Sequence, residues 1–210
     1  MDNKIKVLGV VFTNDENEAH EENYESKLRN IQSVTTAWNK RYLTIRGNIT
    51  LVKSLLLPKL THNLVSLPKP SSEFIKRLNS SIYNFVWGSK VDRLRRVSIC
   101  KPYTQGGLSM IDINSHIDAL KATWVRREIR SNHSWTSLFQ HTIANGNVIW
   151  EWNRVSLAEL SKKITNPFWV EVLEAVSKIS DNIDMDSGFL NRSGLWYSNV
   201  TRYKTSCIVA

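Results

Sequence analysis

A polymerase or nuclease that works through divalent metals needs carboxylates brought together to hold the ions against a 3′-hydroxyl and a leaving phosphate. The 210-residue sequence contains no Asp-Asp pair. Its nearest approach is Asp184-Met185-Asp186, where Gly188 falls one place too early for an EF-hand loop, so the segment reads as a solvated acidic loop. The five histidines (His20, His62, His116, His133 and His141) show neither HxxxH nor HExxH spacing and have no cysteine at metal-binding distance. Cys100 and Cys207 are the two cysteines, without CxxC spacing, which argues against both a disulfide framework and a zinc site. No nucleophile-elbow, Walker or dinucleotide-binding glycine pattern occurs, and Gly106-Gly107 reads as a tight backbone bend. No metal or other cofactor is expected in this chain.

The remaining chemistry is cationic. The formal net charge is +9, and it is unevenly spread. Residues 1–25 hold two Lys against seven acids, residues 26–130 nineteen Lys/Arg against five, and residues 131–210 seven of each. So large an excess over one contiguous stretch is the footprint of a polyanionic partner, because a merely solvated surface mixes its signs. Within it Lys40, Arg41, Arg46, Lys53 and Lys59 lie off the apolar stripes, where they can follow a phosphate backbone without reading bases. The competing reading is a solvated basic face. Trp38, Trp87 and Trp124 fall at or beside apolar stripes, which assigns them to the core rather than to base stacking.

Helices must position these cations. Residues 4–13 are β-branched and apolar with Gly9 among them, which predicts a short strand pair or a hairpin edge. Tyr24, Leu28, Ile31, Thr35, Trp38 and Tyr42 recur at steps of four and three on one helical face. Thr44 caps a second helix that carries Ile49, Val52, Leu55 and Leu56 inward, with Pro58 expected to kink or end it. Leu67-Pro68-Lys69-Pro70 is a stiff connector, and Ser71 or Ser72 caps a third helix with Phe74, Leu78, Ile82, Phe85 and Val86 as its stripe and Gly88 as its stop. The basic run Lys90, Arg93, Arg95 and Arg96 leads into an expected strand at Val97–Cys100. A fourth helix over about 114–130 carries Ile117, Leu120 and Trp124, with Lys121, Arg126, Arg127 and Arg130 around that stripe. Trp135, Leu138 and Phe139 suggest a short helix, and Asn166-Pro167 opens another with Trp169, Val170, Leu173, Val176 and Ile179. The fold expected is mainly α, with a short N-terminal β element and a small β-hairpin near 97–108. Without a membrane-length apolar run or a secretory signal, the chain is expected to be intracellular, in cytoplasm or nucleus, and not membrane-bound.

Several blocks resemble those of reverse transcriptases of the non-LTR (LINE-type) retrotransposon class. Val7-Leu8-Gly9-Val10 resembles the Tyr-Leu-Gly-Val/Ile element that ends their palm, with Val7 in place of the aromatic residue. The run from Trp38 to Ser54 resembles their thumb pattern W-x-x-R-x-L-S/T-x-x-G-K/R-x-x-L/V-x-K-S, with Asn48 where a basic residue is common. Leu57-Pro58-Lys59-Leu60, Asn84-Phe85-Val86-Trp87-Gly88 and Gly106–Asp112 resemble successive later blocks in the same order. Weaker echoes stand at Phe168-Trp169 and Gly194–Tyr197.

This resemblance implies a helical, thumb-like bundle divided into a palm remnant (1–20) with Leu8 and Gly9 as primer-grip-like residues, a thumb helical pair (21–66), a basic continuation (67–130) and a C-terminal helical region (131–210). It implies a non-catalytic fragment of an RNA-directed DNA polymerase. The magnesium-binding carboxylates of the parent enzyme, and its palm and fingers, would lie upstream. The implied partner is the RNA/DNA template–primer duplex, held through its phosphates. The alternative is a stand-alone helical interaction or scaffold protein derived from such an element, or a degenerate product without activity.

Overall fold

The computed structural model describes residues 4–88, 91–130 and 161–180. Two short strands, β1 (Ile5–Val7) and β2 (Val10–Phe12), pair antiparallel with Val7 opposite Val10 and Ile5 opposite Phe12. Leu8 and Gly9 between them have φ of 50° and 85°, the doubly positive pattern of a two-residue hairpin turn whose twist matches its strands. Asn23 anchors the hairpin to the first helical run. Its side-chain amide accepts from the Val11 N–H at 2.9 Å and donates to the Val11 carbonyl at 2.7 Å. Lys4 adds ion pairs to Glu18 at 2.7 Å and Glu22 at 3.2 Å, and its hydrogen bond to Glu18, with that of the Thr13 hydroxyl, holds the Glu18 carboxyl below its ordinary range.

The first helical run comprises α1 (Glu16–His20), a π turn (Glu21–Glu25) and α2 (Ser26–Asn39). Tyr24, Leu28, Ile31 and Thr35 are buried as their spacing predicts. The stripe then stops: Trp38 is half-buried and Tyr42 is 96% exposed, with a left-handed φ of 48°. The physical reason lies in the next cap. Thr44 must be extended (φ −67°, ψ 160°) for its Oγ1 to accept from the Gly47 N–H at 3.2 Å, so the preceding helix has to end before it.

The second run is α3 (Ile45–Leu51), a π turn (Val52–Leu56) and α4 (Pro58–Ser66). Pro58 does not end the helical path. The Leu57 N–H reaches back five residues to the Val52 carbonyl, and the widened turn leaves Pro58 at the first position of α4, where its missing N–H is not needed. Ile49, Val52 and Leu56 are buried as expected, with Leu55 half-buried. Asn63 donates to the Asn23 carbonyl at 2.8 Å and the Tyr24 hydroxyl to the Pro68 carbonyl at 2.6 Å, tying the two runs and the proline connector together.

Ser71 caps α5 (Ser72–Trp87), accepting from the Phe74 N–H at 3.2 Å, and Gly88 ends it at φ 62°. All five predicted stripe residues of α5 are buried, and α5 packs on α2 and α3. The strand expected at Val97–Cys100 is instead a short helix, α6 (Arg96–Cys100). Only Ile99 of this segment is fully buried, so one apolar anchor is satisfied by a helical turn and no partner strand is required. The chain still folds back through a 3₁₀ turn (Tyr103–Gln105), and the Leu108 and Met110 N–H groups both donate to the Ile99 carbonyl at 3.0 Å. A hairpin-like return therefore forms near 97–108 without strands. Gly107 is required there, because a Cβ would lie 1.9 Å from the Lys101 carbonyl oxygen.

The chain parts into two compact units between Ile113 and Asn114, inside the segment expected to run on from 67 to 130. In the second unit α7 (Ile113–Arg130) and α8 (Pro167–Ser180) bury Val125 against Val172 and Leu173. Asn166 caps α8 as expected, its Oδ1 accepting from the Phe168 N–H at 3.0 Å. Trp124, Phe168 and Trp169 meet edge to face, with centroids 5.1–5.9 Å apart. Lys121, expected among the cations around the stripe, is buried. Its Nζ lies 3.4 Å from Glu171 Oε2 and 4.1 Å from the Phe168 ring centroid. Among the described residues no helix is long and apolar enough to cross a membrane. Lys90, Trp135, Leu138, Phe139, the Asp184–Asp186 loop and the Gly194–Tyr197 block lie outside the described residues.

Candidate nucleic-acid interface

Two local rules build the corner between α2 and α3. The first run stops at Asn39, with the Arg41 N–H closing on the Trp38 carbonyl at 3.0 Å, and Thr44 starts the next. Between them Lys40, Arg41 and Tyr42 are thrown outward, followed by Arg46 in the first turn of α3. The Arg41 guanidinium lies 4.4 Å over the Trp38 ring, so this tryptophan serves as a platform for a cation as well as a packing group. Arg46 stands 5.2 Å over the ring of Tyr103, which belongs to the 3₁₀ turn far along the chain. Neither arginine, nor Lys40 or Lys59, has a carboxylate within ion-pair distance among the described residues.

Lys53 is half-buried in the π turn, seven residues beyond Arg46, which is about two helical turns and returns it to the same side. Thr50 and Ser54 bond back to the Arg46 and Thr50 carbonyls at 3.0 and 2.8 Å, so the ridge between the two cations presents little competing polarity. Lys59, half-buried on α4, lies six residues further on, about one and two-thirds turns, and faces away from Lys53. Helical spacing thus sets Arg46 and Lys53 on one side of the second run and Lys59 on another, while Lys40 and Arg41 stand exposed in the turn before it. Leu8 and Gly9 form the hairpin tip, Leu8 being 86% exposed. Asn48 has a structural use: its Nδ2 donates to the Phe85 and Val86 carbonyls at 3.2 and 3.3 Å, holding α3 to the C-terminal end of α5.

The contact of Arg46 with Tyr103 brings in a second basic segment that the sequence kept separate. Arg93, Arg95 and Lys101 are exposed and have no carboxylate partner among the described residues. Arg96 is committed instead, to Asp92 at 2.8 Å and to the Tyr83 ring at 4.2 Å. Burial, with Cys100 Sγ 3.8 Å away, pushes the Tyr83 phenol well above its ordinary value, so it stays neutral and structural. Sequence reasoning also missed the exposed rings of Tyr42 and Tyr103. The available signal was the Thr44 cap, whose extended backbone excludes a helix running through Tyr42. Among the described residues no group of three or more His, Cys, Asp or Glu side chains lies together.

The fold and site together define a mainly α protein with a cationic, aromatic corner. No family model matches the chain. It is 27% identical over 128 residues to an Arabidopsis thaliana protein provisionally named a ribonuclease H protein. That match covers 58% of this chain and 20% of the other protein, so the chain spans about a fifth of the length of this relative.

Proposed function

We propose that residues 4–130 are the nucleic-acid-holding helical part of a longer reverse transcriptase of the non-LTR class, gripping a template–primer duplex by its phosphates and leaving polymerisation to carboxylates elsewhere in the parent protein. The observation that supports this reading is that Arg41, Arg46 and Lys53 all fall within the Trp38–Ser54 run that carries the family resemblance, with both arginines exposed. Arg41 and Arg46 lack carboxylate partners among the described residues. The name of the Arabidopsis relative is that of a nucleic-acid enzyme, and the small share of it that this chain covers agrees with a part of a larger protein.

Fluorescence anisotropy of a labelled RNA–DNA duplex, titrated at increasing salt, tests the proposal. About three to five neutralised phosphates would give a slope of log K against log salt of about −3 to −5. Replacing Arg41, Arg46 and Lys53 together with Gln should flatten that slope by about two to three without unfolding the protein. Equal slopes for the two proteins would reject the basic corner as the contact and favour a helical scaffold that has lost its nucleic-acid partner.

A further inference from the structure

Tyr42 is the most exposed large side chain of the corner, at 96%, and its ring makes no hydrogen bond or ring contact with any described residue. Its backbone is held at φ 48°, a left-handed conformation that side-chain-bearing residues rarely adopt. Asn or Gly would occupy that position with less strain. An aromatic residue placed outward on strained backbone calls for a use outside the molecule. Its neighbours indicate which. Arg41 precedes it and Arg46 follows four residues on, in the first turn of α3, both exposed and without carboxylate partners among the described residues. Leu43 and Ile45 are also exposed beside it, and Arg46 covers a second exposed ring, Tyr103 at 53%.

Aromatic faces set among unpaired arginines are the arrangement that binds single-stranded nucleic acid, because every base has a π-face and every nucleotide a phosphate. A base inside a duplex offers neither face, since both are stacked. We infer that the α2–α3 corner takes an unpaired nucleotide, its base stacked on the Tyr42 ring and its flanking phosphates on Arg41 and Arg46. This rests on the phosphate-holding reading above and adds to it a requirement for bases. The corner would then engage the strand where it leaves the duplex, not only the duplex itself.

The test uses the full chain with two labelled probes of equal length and charge, an oligothymidylate and its abasic counterpart, followed by anisotropy. Wild type should bind the oligothymidylate about 5- to 100-fold more tightly than the abasic strand, the range set by stacking one base. Tyr42→Asn, which suits the left-handed backbone and so preserves the fold, should bring the oligothymidylate down to the abasic affinity and leave the abasic strand unchanged. Tyr42→Phe should retain the preference, since the ring face and not the hydroxyl makes the contact. Equal, salt-dependent binding of both probes by wild type would overturn base stacking while leaving the phosphate reading intact, and no binding of either would overturn both. A preference for bases that survives in Tyr42→Asn would also overturn the inference, leaving the ring for a protein partner. So would an equal loss in Tyr42→Phe.

Discussion

Trp38 shows how a residue's position on a stripe overstates its burial. The stripe places it in line with Tyr24, Leu28, Ile31 and Thr35, yet it stands at the last turn of α2, half-buried under the Arg41 guanidinium. A fully buried aromatic costs about 3–5 kcal/mol to truncate. Half the burial and one exposed cation–π contact reduce the expected cost of Trp38→Ala to about 1–2 kcal/mol. A denaturant melt of the variant checks this, and a loss above 3 kcal/mol would place the indole in the core after all. Lys121 errs in the other direction. Its spacing puts it beside the stripe of α7, but the approach of Phe168 and Glu171 from α8 encloses it. Its long apolar stem tolerates such burial provided that the ammonium is paired.

Elements are joined by a few polar side chains as much as by apolar stripes. Asn48 is the clearest case, since its amide donates to the Val86 carbonyl at the end of α5 and adds a second donor to the Phe85 carbonyl, which the Gly88 N–H also reaches. Asn48→Ala should lower stability by about 1–2 kcal/mol through the loss of those bonds. Asn48→Arg should lose less, because a cation beside a helix C-terminus is favoured, and should steepen the salt slope for duplex binding by about one. Thermal melts and the salt titration, run on both variants, read the two effects separately. An unchanged slope in the arginine variant would mean that position 48 does not face the nucleic acid. The same economy explains α6. Val97–Cys100 has β-branched residues, but without a neighbouring strand the propensity has nothing to pair with, and burying Ile99 decides the conformation.

At the scale of the molecule, the division between Ile113 and Asn114 separates two cores. The first contains the hairpin, both π-turn runs, α5 and the return over 96–110; the second contains Val125, Val172 and Leu173 with their aromatic surround. A polypeptide of residues 1–113 should therefore fold cooperatively by itself and keep the salt-dependent binding, because every residue of the proposed corner lies within it. A sharp thermal transition by circular dichroism and an anisotropy slope equal to that of the full chain are the expected results. A molten spectrum would show that the first core depends on the rest of the chain.

The features settled by sequence alone are those whose physics is short-ranged. Thr44, the Ser71-Ser72 pair, Gly88 and Asn166-Pro167 start or stop helices through hydrogen bonds and φ angles confined to one turn, so reading them needs no knowledge of neighbours, although the structure chose Ser71 of its pair. The period of the α5 stripe, the strand pair around Gly9 and the Gly106-Gly107 bend are legible for the same reason. The tertiary structure decided the rest. That Tyr42 is outside, Lys121 inside, residues 96–100 helical and Arg46 against Tyr103 all depend on which distant surface each segment meets. Burial is a property of the packed chain, and a few kilocalories of enclosure outweigh the tenths that local propensity contributes.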